Sequence, residues 1–307
     1  MGPMNEKRAT GRPLITVIEP EAGAPLGRLR QWLFAEGAVL RTVRPWQGDA
    51  IPALEGIGEG LIVLGGAMSA HDDADHPWLA DLRALLRRAA QARVPAIAIC
   101  LGAQVAAEAL GGATAVPSPH GAEGGVVDLE LTPAALEDPL TAETVAEAVR
   151  AAVRSGIPTR GGTRIPAIVS HDDVVTRLPD GAVLLASSRR APIQAWRLGT
   201  LLALQHHPES TPERVAYWRA RSALRRKGTP GAEAIEHIEY SDMPAHAREA
   251  GERARRAALG ADPVIQAFGR CLARTFARQA RAYSATRDGE SAPGSSGHGP
   301  SGRDRAV

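Results

Sequence analysis

The stretch that most constrains the fold is residues 94–104, V-P-A-I-A-I-C-L-G-A-Q. An apolar run from Val94 to Ile99 stops at Cys100. Gly102 follows, and Ala103, Val105, Ala106, Ala107, Ala109 and Leu110 then read as helix. A short, wholly apolar strand that turns at once into a helix belongs in a sheet covered on both faces. Strand, sharp turn and helix also lift the residue at the turn clear of the sheet edge. Backbone N–H groups at the helix start point the same way and favour negative charge there. Cys100 is therefore a candidate nucleophile. The alternative is a buried cysteine closing a core strand.

The neighbouring sequence repeats this alternation. Leu14–Ile18, Val39–Val43 and Gly60–Leu64 are apolar strands, the last ending in Gly65-Gly66. Leu26, Leu29, Trp32, Leu33 and Ala38 recur at helical spacing, as do Leu79, Leu82, Leu85 and Leu86 within 77–92. The expected class is α/β, a mostly parallel central sheet with helices on both faces. The middle of the chain adds a small antiparallel section. Val126–Leu131 alternates, and Ala182–Ala186 and Ile193–Trp196 read as antiparallel strands before Leu201–Gln205. Residues 141–154 and 212–226 read as helices. A last helix at 262–283 puts Val264, Ile265, Phe268, Leu272 and Phe276 on one face, with Cys271 among them as packing. The expected organisation is a disordered N-terminus over 1–13, a main domain over 14–210, a helical C-terminal extension over 211–283 packed on or beside it, and a disordered tail over 284–307.

Composition narrows the class further. Hydrophobic residues make up 44% and aromatics only 4%, so the core must be built mainly from Ala, Val, Leu and Ile. The net charge of +2 makes no case for nucleic acid or a membrane surface. Its distribution is uneven, about −4 over residues 1–210 and about +6 over 211–307. The arginine-rich helices of the second part read as solvated faces with interspersed acids. Two cysteines are not a disulfide framework, and no Cys/His spacing matches a zinc site. The first residues hold no apolar signal core, and no apolar run is long enough to span a bilayer. A cytoplasmic protein with a reduced thiol is expected.

A thiol that attacks an amide needs a base, usually histidine, and the base needs an orienting acceptor. Gln205-His206-His207-Pro208-Glu209 can supply both. Pro208 stops the segment continuing as an inner strand, and His207 and Glu209, two apart, point the same way in extended chain. Glu209 can also serve as an acid at the start of the helix that follows. The Gly65-Gly66 pair lets backbone approach a ligand with no Cβ in the way. The amides of Gly66 and Leu101 would together bind an oxyanion; a plain tight turn is the alternative.

Taken together these residues resemble the class I, or triad, glutamine amidotransferases over about residues 14–210. Four motifs in the family's order carry the resemblance: Gly65-Gly66-Ala67-Met68-Ser69, Cys100-Leu101-Gly102-Ala103-Gln104, Ser170-His171-Asp172-Asp173 and Gln205-His206-His207-Pro208-Glu209. The piece Ala191–Trp196 resembles the family's stretch upstream of the histidine. The resemblance implies a flavodoxin-like fold, with Cys100 as nucleophile, His207 as base and Glu209 as its orienter. It implies Gly66 and Leu101 as oxyanion donors, and Gly65, Gln104, Ser170 and His171 as contacts for the substrate, L-glutamine. The implied reaction runs through a γ-glutamyl thioester to glutamate and ammonia, with no metal or organic cofactor. Two positions depart from the pattern: His206 stands where the family usually has an aromatic residue, and Asp172 where it has glycine. No P-loop or second large α/β pattern follows, so the implied ammonia acceptor is a synthase or ligase on a separate chain. A hydrolase of γ-glutamyl peptides or γ-glutamylamines, and a glutamine-binding regulatory module without turnover, are the alternatives.

Overall fold

The computed structural model describes residues 11–226 and 238–290. The chain runs β1 (Leu14–Ile18), α1 (Leu29–Ala35), β2 (Val39–Val43), β3 (Gly60–Val63), α2 (Trp78–Gln91), β4 (Ala96–Ile99), α3 (Leu101–Ala109), β5 (Ala113–Ala115), β6 (Glu123–Leu131) and α4 (Pro133–Glu137). It continues through α5 (Ala142–Arg154), β7 (Arg164–His171), β8 (Val174–Arg177), β9 (Val183–Ser187), β10 (Ala195–Leu198), β11 (Leu201–Leu204), α6 (Pro212–Arg226) and α7 (Ala245–Glu290). The main sheet has the order β2-β1-β3-β4-β11-β10-β9-β6-β7. Its first five strands are mutually parallel, and from β11 outward each pairing is antiparallel. A second, two-stranded sheet pairs β5 with β8.

Alternation along the parallel strands sorts their side chains between two cores. Ile15, Val17, Ile62, Ile97, Ile99, Leu202 and Leu204 face α1, α5 and α7. Ile18, Leu61, Val63, Ala96, Ala98, Leu201 and Ala203 face α2 and α3. With both faces covered, these strands are buried along their length. Each buried Leu or Ile contributes about 1.5–3 kcal/mol.

The C-terminal part departs from the sequence-based expectation. A helix predicted at 262–283 is instead one helix from Ala245 to Glu290 with Pro263 inside it. Proline removes one backbone hydrogen bond, but the helix is held from both sides of that position. Upstream, its buried face is made of small residues, Ala247, Ala254, Ala258 and Ala261. Gly251 lets α6 come close, since a Cβ there would sit 2.6 Å from Ala216 O. At the proline, Asp262 pairs with Arg28 at 2.6 Å. Downstream, Val264, Phe268, Leu272 and Phe276 complete the core under the sheet. Of the segments expected to be disordered, 1–13 and 284–307, residues 284–290 instead continue α7, and 1–10 and 291–307 lie outside the described residues. No helix among the described residues is long and apolar enough to cross a membrane.

Candidate active site

Parallel pairing brings three strand ends to one edge of the sheet, the usual place for a site in such a fold. Val63 lies opposite Ala98, and Ile99 opposite Leu204. The residues just beyond β3, β4 and β11 are Leu64-Gly65-Gly66, Cys100 and Gln205-His206-His207. Cys100 is tied to β11 by its own N–H, which donates to Leu204 O at 2.7 Å.

Cys100 has φ +52°, ψ −110°, a conformation that L-residues rarely adopt. Such backbone strain costs about 1–3 kcal/mol and persists only where the surroundings enforce it. Here they do. The residue before it ends a buried strand, and the residue after it begins α3. Gly102 lies so close to β3 that a Cβ would be 2.5 Å from Val63 O. The thiol is 6% exposed. It donates to Ser170 O at 3.7 Å and accepts from Gln205 Nε2 at 3.5 Å.

His207 and Glu209 are 2% and 3% exposed, and His207 Nδ1 meets Glu209 Oε1 at 2.7 Å. His207 Nε2 is buried without a hydrogen-bond partner. Burial works against charge on this ring, but Glu209 and then Cys100 outweigh it and raise the His207 pKa well above its ordinary value. Trp218 of α6 packs on the imidazole, ring centroids 4.6 Å apart. His206 turns the other way, edge-on to Phe268 at 5.3 Å. Burial, reinforced by the charge of His207, pushes its pKa down to about 3, so it is neutral.

A cavity of about 90 Å³ opens over the sulfur. Gly66, Cys100, Gln104, Ser170, His171 and His207 all line it. Gly65 lies just behind, where a Cβ would be 3.4 Å from His207 Cε1 and 3.5 Å from Cys100 Cβ. Leu101 is fully buried at the start of α3; a Cβ on Gly66 would come within 2.9 Å of its Cδ2, so the Leu101 side chain packs against Gly66. Gln104 turns its amide inward, donating to Asp173 O at 3.0 Å and to Gln205 Oε1 at 3.2 Å.

Several residues around the cavity were not singled out by the sequence reading. Gln205 touches the sulfur. Glu123, opposite His171 across β6 and β7, lies 3.4 Å from its Nε2. It also accepts from Gln194 Nε2 at 2.9 Å and Ser188 Oγ at 2.6 Å. Burial opposes the Glu123 charge, but His171, Ser188 and the Arg190 amide together lower its pKa. His171 Nδ1 is left buried with no partner. Asp173 is pushed up to about 6 by burial and by the charges of Asp172 and Asp72. Glu123 opens β6 ahead of Gly124-Gly125 and outside the alternating stretch Val126–Leu131, so it carried no sequence signal. Trp218 and Arg221 carried none, because their contacts depend on how α6 folds back.

The glutamine amidotransferase class-I family model matches residues 35–217. A glutamine amidotransferase-like protein of Salmonella typhimurium, YfeJ, is 32% identical over 193 residues, covering 62% of this chain and 72% of the relative. A glutamine amidotransferase from Methylobacillus flagellatus superposes with a TM-score of 0.63 at 26% identity, over 85% of this chain and 92% of that one. One from Thermotoga maritima superposes with a TM-score of 0.62 at 19% identity, over 86% and 97%, and speaks to the fold alone. The chain belongs to the class-I glutamine amidotransferase family.

Proposed function

We propose that the chain hydrolyses the side-chain amide of L-glutamine at Cys100 and passes ammonia to an acceptor bound by a synthase or ligase on another chain in the cytoplasm. The observation that carries this reading is the convergence of Cys100 and His207 from two strand ends at one cavity, with His207 Nδ1 held 2.7 Å from the buried Glu209 behind it. The raised His207 pKa supports an imidazolium beside the Cys100 sulfur at neutral pH. The thiolate attacks the side-chain carbonyl carbon, and the carbonyl oxygen becomes an oxyanion facing the Gly66 and Leu101 amides. The imidazolium gives its Nε2 proton to the nitrogen, the C–N bond breaks and ammonia leaves. The γ-glutamyl thioester then meets water, whose proton passes to His207 as its oxygen attacks. The C–S bond breaks, and glutamate and the thiolate are released. Glu209 keeps the ring oriented throughout. Gln205 donates to the sulfur while it carries charge, and Gln104 orients Gln205.

One observation favours a broader γ-glutamyl substrate. The cavity shares Ala122, Glu123 and Arg219 with an adjoining groove of about 730 Å³, room for a substituent on the amide nitrogen. Glutamate release from glutamine and from a panel of γ-glutamyl amides tests both readings. Wild-type protein should turn over at least one, and Cys100→Ala none. Equal rates for the two proteins would refute the proposal.

A further inference from the structure

The loop between β1 and α1 crosses the mouth of the cavity and carries Glu21. The two oxygens of its carboxylate face different elements. Oε2 accepts the Ala67 N–H at 2.5 Å, one residue beyond Gly66. Oε1 lies 3.3 Å from Arg221 Nη1 on α6. These side chains are largely enclosed, 21% exposed for Glu21 and 11% for Arg221. Two further bonds from α6 pin the same loop: Trp218 Nε1 donates to Gly23 O at 3.1 Å and Arg214 Nη1 to the same oxygen at 3.4 Å. Gly23 leaves the space the ion pair occupies, since a Cβ there would sit 2.5 Å from Glu21 Oε1.

The Gly65-Gly66 pair needs such an anchor. Two glycines in succession leave the peptide direction free, and an oxyanion donor must be aimed in advance. A Cβ on Gly66 would meet the side-chain ends of Met68, Sδ at 2.5 Å, and Leu101, Cδ2 at 2.9 Å, so a larger residue there would have to push both aside. On the strand side, Leu64 N–H is fixed on Ile18 O at 3.0 Å. On the far side, the fixed point is Ala67 on Glu21.

We propose that Arg221, acting through Glu21, positions the Gly65-Gly66 loop to receive the oxyanion, which makes the helix after the H-P-E segment a working part of the glutamine site. The inference rests on the glutaminase reading above. A positioning defect of this kind appears in kcat, because the oxyanion exists only in the transition state and its flanking intermediates. It leaves alkylation of the sulfur by iodoacetamide untouched, since that displacement forms no oxyanion.

The test compares Arg221→Gln, Arg221→Lys, Glu21→Gln and the double variant Glu21→Gln/Arg221→Gln with wild type. Arg274→Gln serves as control, its side chain paired with Glu143 on the far side of the fold. Glutaminase kcat and KM, the alkylation rate at Cys100 and the thermal midpoint are measured for each. Arg221→Gln should lose about tenfold or more in kcat, with KM and alkylation near wild type. Lysine should restore part of the loss, and the double variant should be no worse than the poorer single one. A kcat within about twofold of wild type for Arg221→Gln, or kcat, alkylation and midpoint falling together, overturns the inference. Wild-type protein that alkylates at Cys100 but turns over no glutamine overturns the glutaminase reading, and this inference with it.

Discussion

Replacing Gly102 with alanine tests how tightly the fold sets the geometry of Cys100. The new Cβ would sit 2.5 Å from Val63 O and 3.0 Å from Val63 C, whereas ordinary contact begins at 3.4 Å. The start of α3 must therefore retreat by about 0.9 Å, because the opposing atoms belong to the backbone of β3. That displacement carries the Leu101 amide and the Cys100 sulfur away from Gly66 and His207. Overpacking of this kind costs about 1–3 kcal/mol, a fall of roughly 2–10 °C in thermal midpoint for a chain of this size. The effect on turnover should be larger, about a hundredfold for a misplacement near 1 Å. Gly260→Ala is the matched control, since a Cβ there meets nothing within 4 Å inside α7. It should stabilise by about 0.5–1 kcal/mol and leave turnover alone. The assays are glutamate release from glutamine and thermal unfolding. Gly102→Ala with full turnover and an unchanged midpoint would refute the reasoning.

The remaining predictions concern the two histidines and a half-buried acid. His207→Gln should lose about 10²–10⁴-fold in kcat, whereas His206→Phe, packed on Phe268, should stay within roughly threefold; glutaminase kinetics on both would show the reverse pattern if His206 were the base. For Asp173, burial and the neighbouring acids raise the pKa from 3.8 to about 6. The folded state thus holds this proton more tightly than the unfolded chain, so its stabilising effect is full below 3.8 and is lost as pH rises through about 6. Asp173→Asn should accordingly raise the thermal midpoint at pH 8 by about 2–4 °C and give a smaller gain, or none, at pH 4; an equal shift at both pH values would contradict this.

What was legible in the sequence follows from physics that acts locally. β1, β3, β4 and β11 are short runs of apolar residues buried on both faces, so their composition alone marks them. α6 begins at Pro212, a residue pre-set for the first turn of a helix, and was read at its observed bounds. The missed elements lack such signals. β5 is three half-buried residues whose strand geometry is imposed by β8. α4 spans five residues capped by Thr132. The first half of α7 fell outside the helix read at 262–283 because its buried face is alanine and glycine rather than leucine.

At the site, Cys100, His207 and Glu209 stood out because each lies within a short motif. The contacts of Gln205, Glu123, Trp218 and Arg221 did not. Each depends on a partner far along the chain, 105 residues away for Gln205 with Cys100 and 200 for Arg221 with Glu21. The packing of β11 beside β4, the pairing of β6 with β7, and the packing of α6 against the β1–α1 loop create them.

The central claim is that Cys100 is the nucleophile and acts in a pocket shaped for a γ-glutamyl group. It is tested most directly by treating the protein with an electrophilic glutamine analogue and mapping the adduct by mass spectrometry. The account predicts a single adduct on Cys100, formed in step with loss of glutaminase activity, slowed by added glutamine and absent from Cys100→Ala. An adduct on Cys271 instead, or glutaminase activity that survives full modification of Cys100, would contradict it.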